Sequence, residues 1–348
     1  MAAATAFLLT GAYVHADAAT AQSDSSSTSA TAAVSTAAVS DVVTAANTFL
    51  DTLSTSQKSK VLLSLTEANA TAWSNLPCGS SCRVGIQFST LSSTQLAAAK
   101  AVVQAATGTG SGTGYDQVSK ILAADDYLGQ KAGGYGSGNY YLAFLGTPST
   151  SGTWQLHFGG HHLAVNLTYA DGQVEGTTPY FVGVEPSSWT SNGTTYAPLS
   201  GMRNAMLAML GGLSSSQLAQ AKLSTSYSDV LLGPGKDGQF PTAKQGLAVS
   251  GLSSAQQALV LAAITPWVNV ADDTTAASVL TTYRSELAGT YVSYSGSSAL
   301  SSQGDYVRID GPGVWIEFIC QNGVVYSGVH YHTVYRDHTT DYGGEFSF

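Results

Sequence analysis

Four short motifs that begin helices recur along this chain and restrict how it can fold. Each has a Leu, a Ser at the helix N-cap and a Gln three residues after the Ser, with an Ala-rich or Leu-rich run behind it. In this capping box the Ser and Gln side chains each bond a backbone N–H that the first helical turn leaves free. The motifs occupy residues 53–57, 91–95, 213–217 and 252–256. Their irregular spacing indicates repeated local chemistry rather than a solenoid of equal repeats.

Helices and strands alternate in runs along the chain. Helices are predicted near residues 41–50, 54–68, 92–106, 116–127, 199–211, 214–224, 253–264 and 274–288. Strands are predicted in two blocks, 139–145, 153–157, 161–169 and 179–184, and then 305–309, 313–319 and 324–335. Within the second block, Asn322 and Gly323 predict a tight hairpin turn. Runs of helices between runs of antiparallel strands indicate a single α+β domain, with an antiparallel or mixed sheet packed against several capped helices.

The amino terminus predicts an exported protein. Residues 1–21 combine an apolar stretch with small-residue sites of the A-x-A type, which is the pattern of an export signal; a flexible Ala-rich terminus is the alternative. Residues 22–40 predict a disordered Ser/Thr/Ala leader, and residues 41–348 form the α+β domain. No other window holds the roughly 20 apolar residues that span a bilayer. We therefore expect a periplasmic or secreted protein without a membrane span.

The charge of the chain excludes one class of partner. The net charge is −9, and only 13 Lys and Arg residues are spread along the sequence. Nucleic-acid binding needs a basic patch that neutralises phosphates. We therefore expect no nucleic-acid partner.

The cysteines fit an oxidising compartment. Cys78 and Cys82 are close enough for a small-loop disulfide, which such a compartment permits. A metal or redox pair is the alternative, although two thiols alone make a poor metal set. Cys320 lies in a predicted strand and is expected to be a buried free thiol.

Six of the seven histidines fall in two short stretches, one in each strand block. Residues i and i+2 of a strand share a face, so His330 and His332 can reach one metal ion. His161 and His162 follow two glycines, where the chain can turn sharply; one of the pair can be a ligand while the other supports it or faces a substrate. Neutral imidazole is the commonest side-chain ligand for transition metals. We predict a metal site formed by His161, His162, His330 and His332, with a metal-free polar network as the alternative.

The predicted ligands limit which metal ion the site can bind. Histidines without a thiolate suit copper or zinc, and also iron(II) or nickel. A structural zinc site would normally include cysteine, so a histidine site with an open position favours catalysis. Glu317, Arg336 and Asp337 are the candidate catalytic residues, predicted to hold the histidines or to orient a substrate. Glu317 could be a ligand or a base, with a purely structural partner as the alternative. A Glu185–Glu317 pair for glycoside hydrolysis is a further alternative, whereas no Gly-x-Ser-x-Gly motif supports serine catalysis.

Several blocks of the chain resemble one protein family. The blocks are residues 73–77 with Arg83, 140–148, 158–166, 178–186, 308–312, 315–318, 330–337 and 341–343. Together they resemble the family catalogued as domain of unknown function number 3500, over nearly all of the chain after residue 40. The Gly-His-His and His-x-His blocks are the most specific parts, and His157 and His338 fall outside the family pattern. The resemblance implies one family-length domain and carries no activity that can be transferred.

These features together predict an exported metal-dependent enzyme. A copper-type oxidoreductase would activate dioxygen at the ion, and a zinc-type hydrolase would lower the pKa of a bound water. Its substrate would be a small molecule, a saccharide or a peptide. The alternative from another class is a non-catalytic metal-binding or cell-surface module whose histidines only stabilise the fold.

Overall fold

A mixed sheet of twelve strands runs through the protein, and the longer helices pack on one of its faces. The computed structural model describes residues 25–348, and their side chains from residue 38 onward. The α-helices of this part are α1 (Ser25–Asp51), α2 (Thr55–Val61), α3 (Glu67–Ala70), α4 (Ser93–Ala106), α5 (Gly114–Gly129), α6 (Ser200–Gly211), α7 (Ser215–Ala221), α8 (Ser254–Val268) and α9 (Asp273–Ser285). Its strands are β1 (Leu62–Leu63), β2 (Ile86–Gln87), β3 (Tyr141–Leu145), β4 (Thr153–Gly160), β5 (Leu163–Ala170), β6 (Gln173–Gly176), β7 (Tyr180–Val184), β8 (Trp189–Ser191), β9 (Thr194–Tyr196), β10 (Leu247–Ala248), β11 (Tyr291–Ser295), β12 (Tyr306–Asp310), β13 (Val314–Asn322) and β14 (Val329–Asp337). The predicted α+β class is confirmed.

The strand order brings the two histidine-bearing segments to the middle of the sheet. The order is β1-β3-β4-β5-β7-β14-β13-β12-β11-β10, with β2 paired to β3 and β6 paired to β5. β1 and β3 are parallel, whereas the β7–β14 pair and both three-stranded meanders, β3–β4–β5 and β11–β12–β13, are antiparallel. The central pair, β7 with β14, joins the two meanders. The hairpin that carries His161 and His162 therefore lies one strand away from His330 and His332.

The four predicted capping boxes are all present, each with reciprocal Ser and Gln hydrogen bonds. They also come in two pairs. Gln57 Nε2 donates to Gln95 Oε1 across 38 residues, and Gln217 Nε2 donates to Gln256 Oε1 across 39 residues. Each pair of boxes is followed by another helix and a three-stranded meander. The spacing that looks irregular over four motifs is therefore nearly equal within the two pairs, at 38 and 39 residues.

Helix α1 differs from the sequence-based expectation. It begins at Ser25, within residues 22–40, where the composition predicts a disordered leader. Ala is the strongest helix former, and further along this helix Val39, Val42 and Phe49 are buried in the core. Burial of one helix face stabilises a helix that local periodicity does not reveal. The predicted export signal, residues 1–21, lies outside the described residues.

Two turns differ from their sequence-based predictions. β13 ends at Asn322 and β14 begins only at Val329, so the predicted tight turn at Asn322 and Gly323 is wrong. The loop is longer because Glu185 Oε1 accepts three successive backbone N–H groups, those of residues 324–326, at 2.6–2.8 Å. The two glycines before His161 belong to β4, and His161 and His162 themselves form the two-residue turn between β4 and β5.

The two faces of β14 meet different surroundings. Thr333 and Tyr335 face the helices, where Thr333 accepts a hydrogen bond from Trp267 of α8 and Tyr335 bonds Tyr283 of α9. The opposite face carries the histidines and Val334, which packs with Val230 from an irregular segment and other buried residues. The histidine face is thus covered by loops rather than by helices.

Two further predictions concern cysteines and membranes. The Cys78–Cys82 disulfide is present, and Cys320 is a buried free thiol, as predicted. Among the described residues, no helix has both the length and the apolar character that crossing a bilayer requires.

Candidate metal centre

Three histidines from two distant segments converge on one point. The ring nitrogens that His162, His330 and His332 present lie within 4.8 Å of one another. His332 Nε2 is 3.1 Å from His162 Nε2 and 3.2 Å from His330 Nε2. All three residues are buried, with 5%, 3% and 8% of their surface exposed.

The backbone fixes where these rings point. His162 occupies the β4–β5 turn with φ of 61°, and its backbone is anchored on both sides: its N–H donates to Asn75 O at 3.2 Å, and its carbonyl accepts the Gly183 N–H at 2.7 Å. His330 and His332 are two residues apart in β14, so their rings share a face. His332 pairs directly with Gly183 of β7.

Gly183 makes room for two of the rings. A Cβ atom at this position would lie 2.9 Å from His162 Cδ2 and 3.0 Å from His332 Cδ2, closer than real Cβ contacts come. A glycine inside a strand often marks a close approach of another group. In this chain the approaching groups are two imidazoles, so Gly183 is part of the centre although it offers no ligand atom.

Asp229 orients His332. Its Oδ1 lies 2.9 Å from His332 Nδ1. Burial opposes ionisation of this carboxyl, but the hydrogen bond and charge of His332 lower the pKa of Asp229 overall. An ionised Asp229 accepts a hydrogen bond from Nδ1–H of His332, and in a neutral ring this leaves the Nε2 lone pair directed towards His162 and His330. This carboxylate–histidine arrangement is the usual support of a metal-bound histidine.

Two of the three rings, His162 and His330, have the charge state that metal ligands need. Burial lowers the pKa of His162 well below its usual value, and the neighbouring His161, His332 and His330 lower it further. Burial, followed by the charge of His332, lowers the pKa of His330 to about 4. Both rings are therefore neutral at neutral pH. Without a cation, the single lone pair of His332 Nε2 would have two nitrogens competing for it, whereas a cation would satisfy all three lone pairs.

His161 stands beside this trio rather than in it. Its ring stacks on His162 with centroids 3.7 Å apart, but its Nδ1 lies 2.6 Å from Asp125 Oδ1 of α5. Tyr140 donates a hydrogen bond of 2.5 Å to the His161 carbonyl. Of the four histidines predicted as ligands, the structure thus brings three together, and His161 braces the turn that carries His162.

Glu317, Arg336 and Asp337 do not reach the three ring nitrogens. Glu317 accepts hydrogen bonds from the backbone N–H groups of Leu231 and Leu232, and Arg336 donates to the Leu232 carbonyl. Both contacts are made to the irregular segment that carries Asp229. Asp337 alternates with Arg336 along β14 and points to the helix face, where it accepts a hydrogen bond from Tyr283 at 2.6 Å. It is therefore on the wrong face of the sheet to serve the histidines.

The remaining candidates have other partners. His157 Nε2 lies 3.2 Å from the Ala72 carbonyl, and burial lowers its pKa to about 4. His338 stacks on Phe240 with centroids 4.1 Å apart. Glu185 anchors the β13–β14 loop and Glu317 the Asp229 segment, so each of these carboxylates is occupied by backbone donors. This arrangement gives no support to a Glu185–Glu317 pair for glycoside hydrolysis.

Sequence reasoning missed three residues of the centre. Asp125 lies in a predicted helix, Gly183 in a predicted strand, and Asp229 in a stretch without periodicity. Gly183 carried a readable signal, since a glycine interrupts an otherwise bulky strand. The two aspartates carried none, because their partners are 36 and 103 residues away.

Comparison with known proteins gives a family and no close relative. A family model described as "Protein of unknown function (DUF3500)" matches residues 35–344. No curated protein and no solved structure matches significantly.

Proposed function

This chain belongs to the DUF3500 family, and from its own side chains we propose that it is an exported metal-dependent enzyme whose ion is held by His162, His330 and His332. The observation that carries this proposal is the convergence of three buried imidazole nitrogens, with an aspartate behind one of the rings. Such a cluster is costly to bury unless a partner uses the lone pairs. A cation is the partner that suits all three.

Two of the three separations between the nitrogens fit a transition metal. Nitrogens roughly 2.05 Å from a tetrahedral ion lie about 3.3 Å apart. The two separations of 3.1 and 3.2 Å around His332 are close to this value. A donor set of imidazoles without thiolate favours copper or zinc, with iron(II) next.

Three protein ligands favour catalysis over a purely structural role. Structural zinc sites normally use four protein ligands, whereas catalytic sites use three and leave a position for water or substrate. A bound ion would supply either redox chemistry with dioxygen or a water of lowered pKa. The copper-type oxidoreductase and the zinc-type hydrolase thus remain the two forms of this proposal, acting on a small molecule, a saccharide or a peptide.

The disulfide supports export. Cys78 and Cys82 are bonded in the segment that also anchors His162 through the Asn75 carbonyl. Disulfides persist in oxidising compartments and are rare in the cytosol. Together with the export signal predicted at residues 1–21, this bond favours a periplasmic or secreted location.

The burial of the three rings favours a second candidate, a non-catalytic metal-binding module. With at most 8% of any of the three residues exposed, an ion here would have little direct contact with bulk solvent. The two candidates differ in whether a small external ligand can reach the ion. Azide added to the copper(II)-loaded protein would shift its visible absorption spectrum if a coordination position is open, and would leave it unchanged if the centre is closed.

The experiment that tests the proposal is metal analysis of protein purified without an affinity tag or chelator. We expect about one equivalent of copper, zinc or iron in the wild-type protein and almost none in a His330→Ala/His332→Ala double variant. His157→Gln is the matched control, because His157 is equally buried but bonds a backbone carbonyl, and this variant should keep its metal. Absence of metal from the wild-type protein, even after dialysis against copper and zinc, would refute the proposal.

A further inference from the structure

The carboxylate that orients His332 belongs to a segment without regular structure. Residues 228–233 lie between α7 and β10 and cross β13 and β14 on the histidine face. The Asp229 side chain is 43% exposed, so burial alone does not hold it. Something else must keep its Oδ1 at 2.9 Å from the His332 ring.

Three side chains of the sheet hold this segment by hydrogen bonds on both sides of Asp229. At its start, Gln321 Nε2 donates to the Ser228 carbonyl at 2.5 Å. In its middle, the two oxygens of Glu317 accept the N–H groups of Leu231 and Leu232 at 2.5 and 2.9 Å. These hydrogen bonds therefore lie on both sides of Asp229.

Arg336 binds the C-terminal end of the segment. Its Nε donates to the Leu232 carbonyl at 2.8 Å, and its Nη2 donates to the Gly233 carbonyl at 3.2 Å. The guanidinium is itself held by Asp237 and Asp341, at 3.0 and 2.9 Å. A fully buried, doubly paired guanidinium is a rigid support, because moving it would leave a buried charge without partners.

The three residues that hold the segment, Glu317, Gln321 and Arg336, lie on the same face of the sheet as the histidines. Glu317 and Gln321 pair with Val334 and His330 of β14, and Arg336 lies on β14 itself, four residues after His332. In a strand, positions two and four residues apart point to the same side. The sheet that presents the ligand His332 thus also fixes the loop that orients it.

We infer that Glu317, Gln321 and Arg336 are positioning residues of the metal centre, which act on His332 through Asp229. The inference deepens the proposed function and rests on it for its effect on metal binding. Groups that orient a metal-bound histidine typically contribute 10-fold to 100-fold to metal affinity. Glu317, Gln321 and Arg336 each hydrogen-bond the segment that carries Asp229, so we expect their effect to pass through Asp229, although Gln321 also lies opposite His330 in the β13–β14 pair.

A double-mutant cycle tests this route. Glu317→Gln preserves volume but turns an amide N–H₂ towards a backbone N–H, which should release the segment. The affinities for Zn²⁺ alone and for Cu²⁺ alone are measured by competition with a chromophoric chelator. We expect Glu317→Gln and Asp229→Ala each to weaken binding about 10-fold to 100-fold. The double variant should be no weaker than Asp229→Ala alone, because the second change acts on a contact that is already lost.

A control and a milder variant separate positioning from general stability. Asp337→Asn alters an equally buried carboxylate on the opposite face of β14 and should leave metal affinity within twofold of wild type. Gln321→Ala removes the hydrogen bond from Gln321 to the Ser228 carbonyl. This variant should still weaken metal binding if Glu317→Gln fails to fold. Wild-type affinity in both the Glu317 and Gln321 variants would overturn the inference. So would a double variant whose loss of affinity equals the product of the two single losses.

A metal-free readout distinguishes failure of this inference from failure of the proposed function. The ¹⁵N resonances of the His332 ring report whether Asp229 still accepts a hydrogen bond from its Nδ1–H. They should shift in Glu317→Gln and Gln321→Ala towards their values in Asp229→Ala, while the His157 resonances stay in place. If the wild-type protein binds neither ion, the proposed function fails, and these resonances still decide the inference: unchanged His332 signals in both variants would refute it.

Discussion

Gly183 offers the sharpest single-residue test of the centre. A Gly183→Ala change adds one methyl group, which would lie 2.9 Å from His162 Cδ2, 2.9 Å from the Tyr331 carbonyl and 3.0 Å from His332 Cδ2. Gly183 is not among the residues with positive φ, so the alanine backbone itself is unstrained. The effect is therefore steric and acts on the two rings and the neighbouring strand.

The size of the effect follows from how freely the rings can move. Overpacking a tight site costs about 1–3 kcal/mol. In the metal-free protein the rings can turn aside and relieve part of this cost, whereas an ion requires them to converge. If most of the cost falls on the metal-bound state, the affinity falls by roughly 5-fold to 150-fold, since about 1.4 kcal/mol corresponds to a factor of ten.

The assay is a metal titration in competition with a chelator, accompanied by urea unfolding of the metal-free protein. Gly201→Ala is the matched control, because a Cβ atom there has nothing within 4 Å and Gly201 lies in helix α6. That variant should bind metal as the wild type does and unfold at the same or slightly higher urea concentration. If Gly183→Ala binds copper and zinc within twofold of wild type, the rings of His162 and His332 do not converge on an ion.

Three further predictions concern other parts of the molecule. Because burial lowers the pKa of His157 to about 4, the unfolded chain binds a proton that the folded chain does not between that pH and the usual value near 6.5. The free energy of unfolding therefore decreases as the pH falls from 6.5 towards 4, by at most about 3 kcal/mol. Because the His157→Gln variant lacks this titration, its urea unfolding should show a flatter pH profile over this range. The Cys320 thiol, whose pKa is raised by burial to about 12, should react with a disulfide reagent only after unfolding. Cys78 and Cys82 should become reactive only after reduction, and one rapidly reacting thiol in the folded protein would contradict this assignment. Ser92→Ala removes one capping box and should cost about 1 kcal/mol of unfolding free energy with metal affinity unchanged, whereas an unchanged urea midpoint would show that the cap contributes nothing.

Local chemistry made most of the helices predictable, and seven of the fourteen strands in the described residues. The serine and glutamine of each capping box are three residues apart, so the signal for a helix start is complete within one turn. That His330 and His332 point to the same face likewise follows from strand geometry alone. The pairing of the boxes was not visible, because the Gln57–Gln95 and Gln217–Gln256 contacts depend on the fold.

The site itself was predictable only in part. His162, His330 and His332 came from clustering, but the sequence could not separate His161 from them, because the two adjacent histidines differ only in the direction that a turn gives them. The position of the turn was misjudged by two residues. Asp229 and Asp125 could not be predicted from the sequence, because each is brought to its histidine by tertiary structure rather than by spacing.

Anomalous X-ray diffraction from crystals of copper-loaded or zinc-loaded protein, recorded at the absorption edge of the metal, tests the central claim most directly. We predict one strong anomalous peak roughly 2.0–2.2 Å from a ring nitrogen of each of His162, His330 and His332, with Asp229 still bonded to the far side of the His332 ring. A peak at other residues, or no ordered metal in the loaded crystals, would contradict the assignment of this trio as a metal centre.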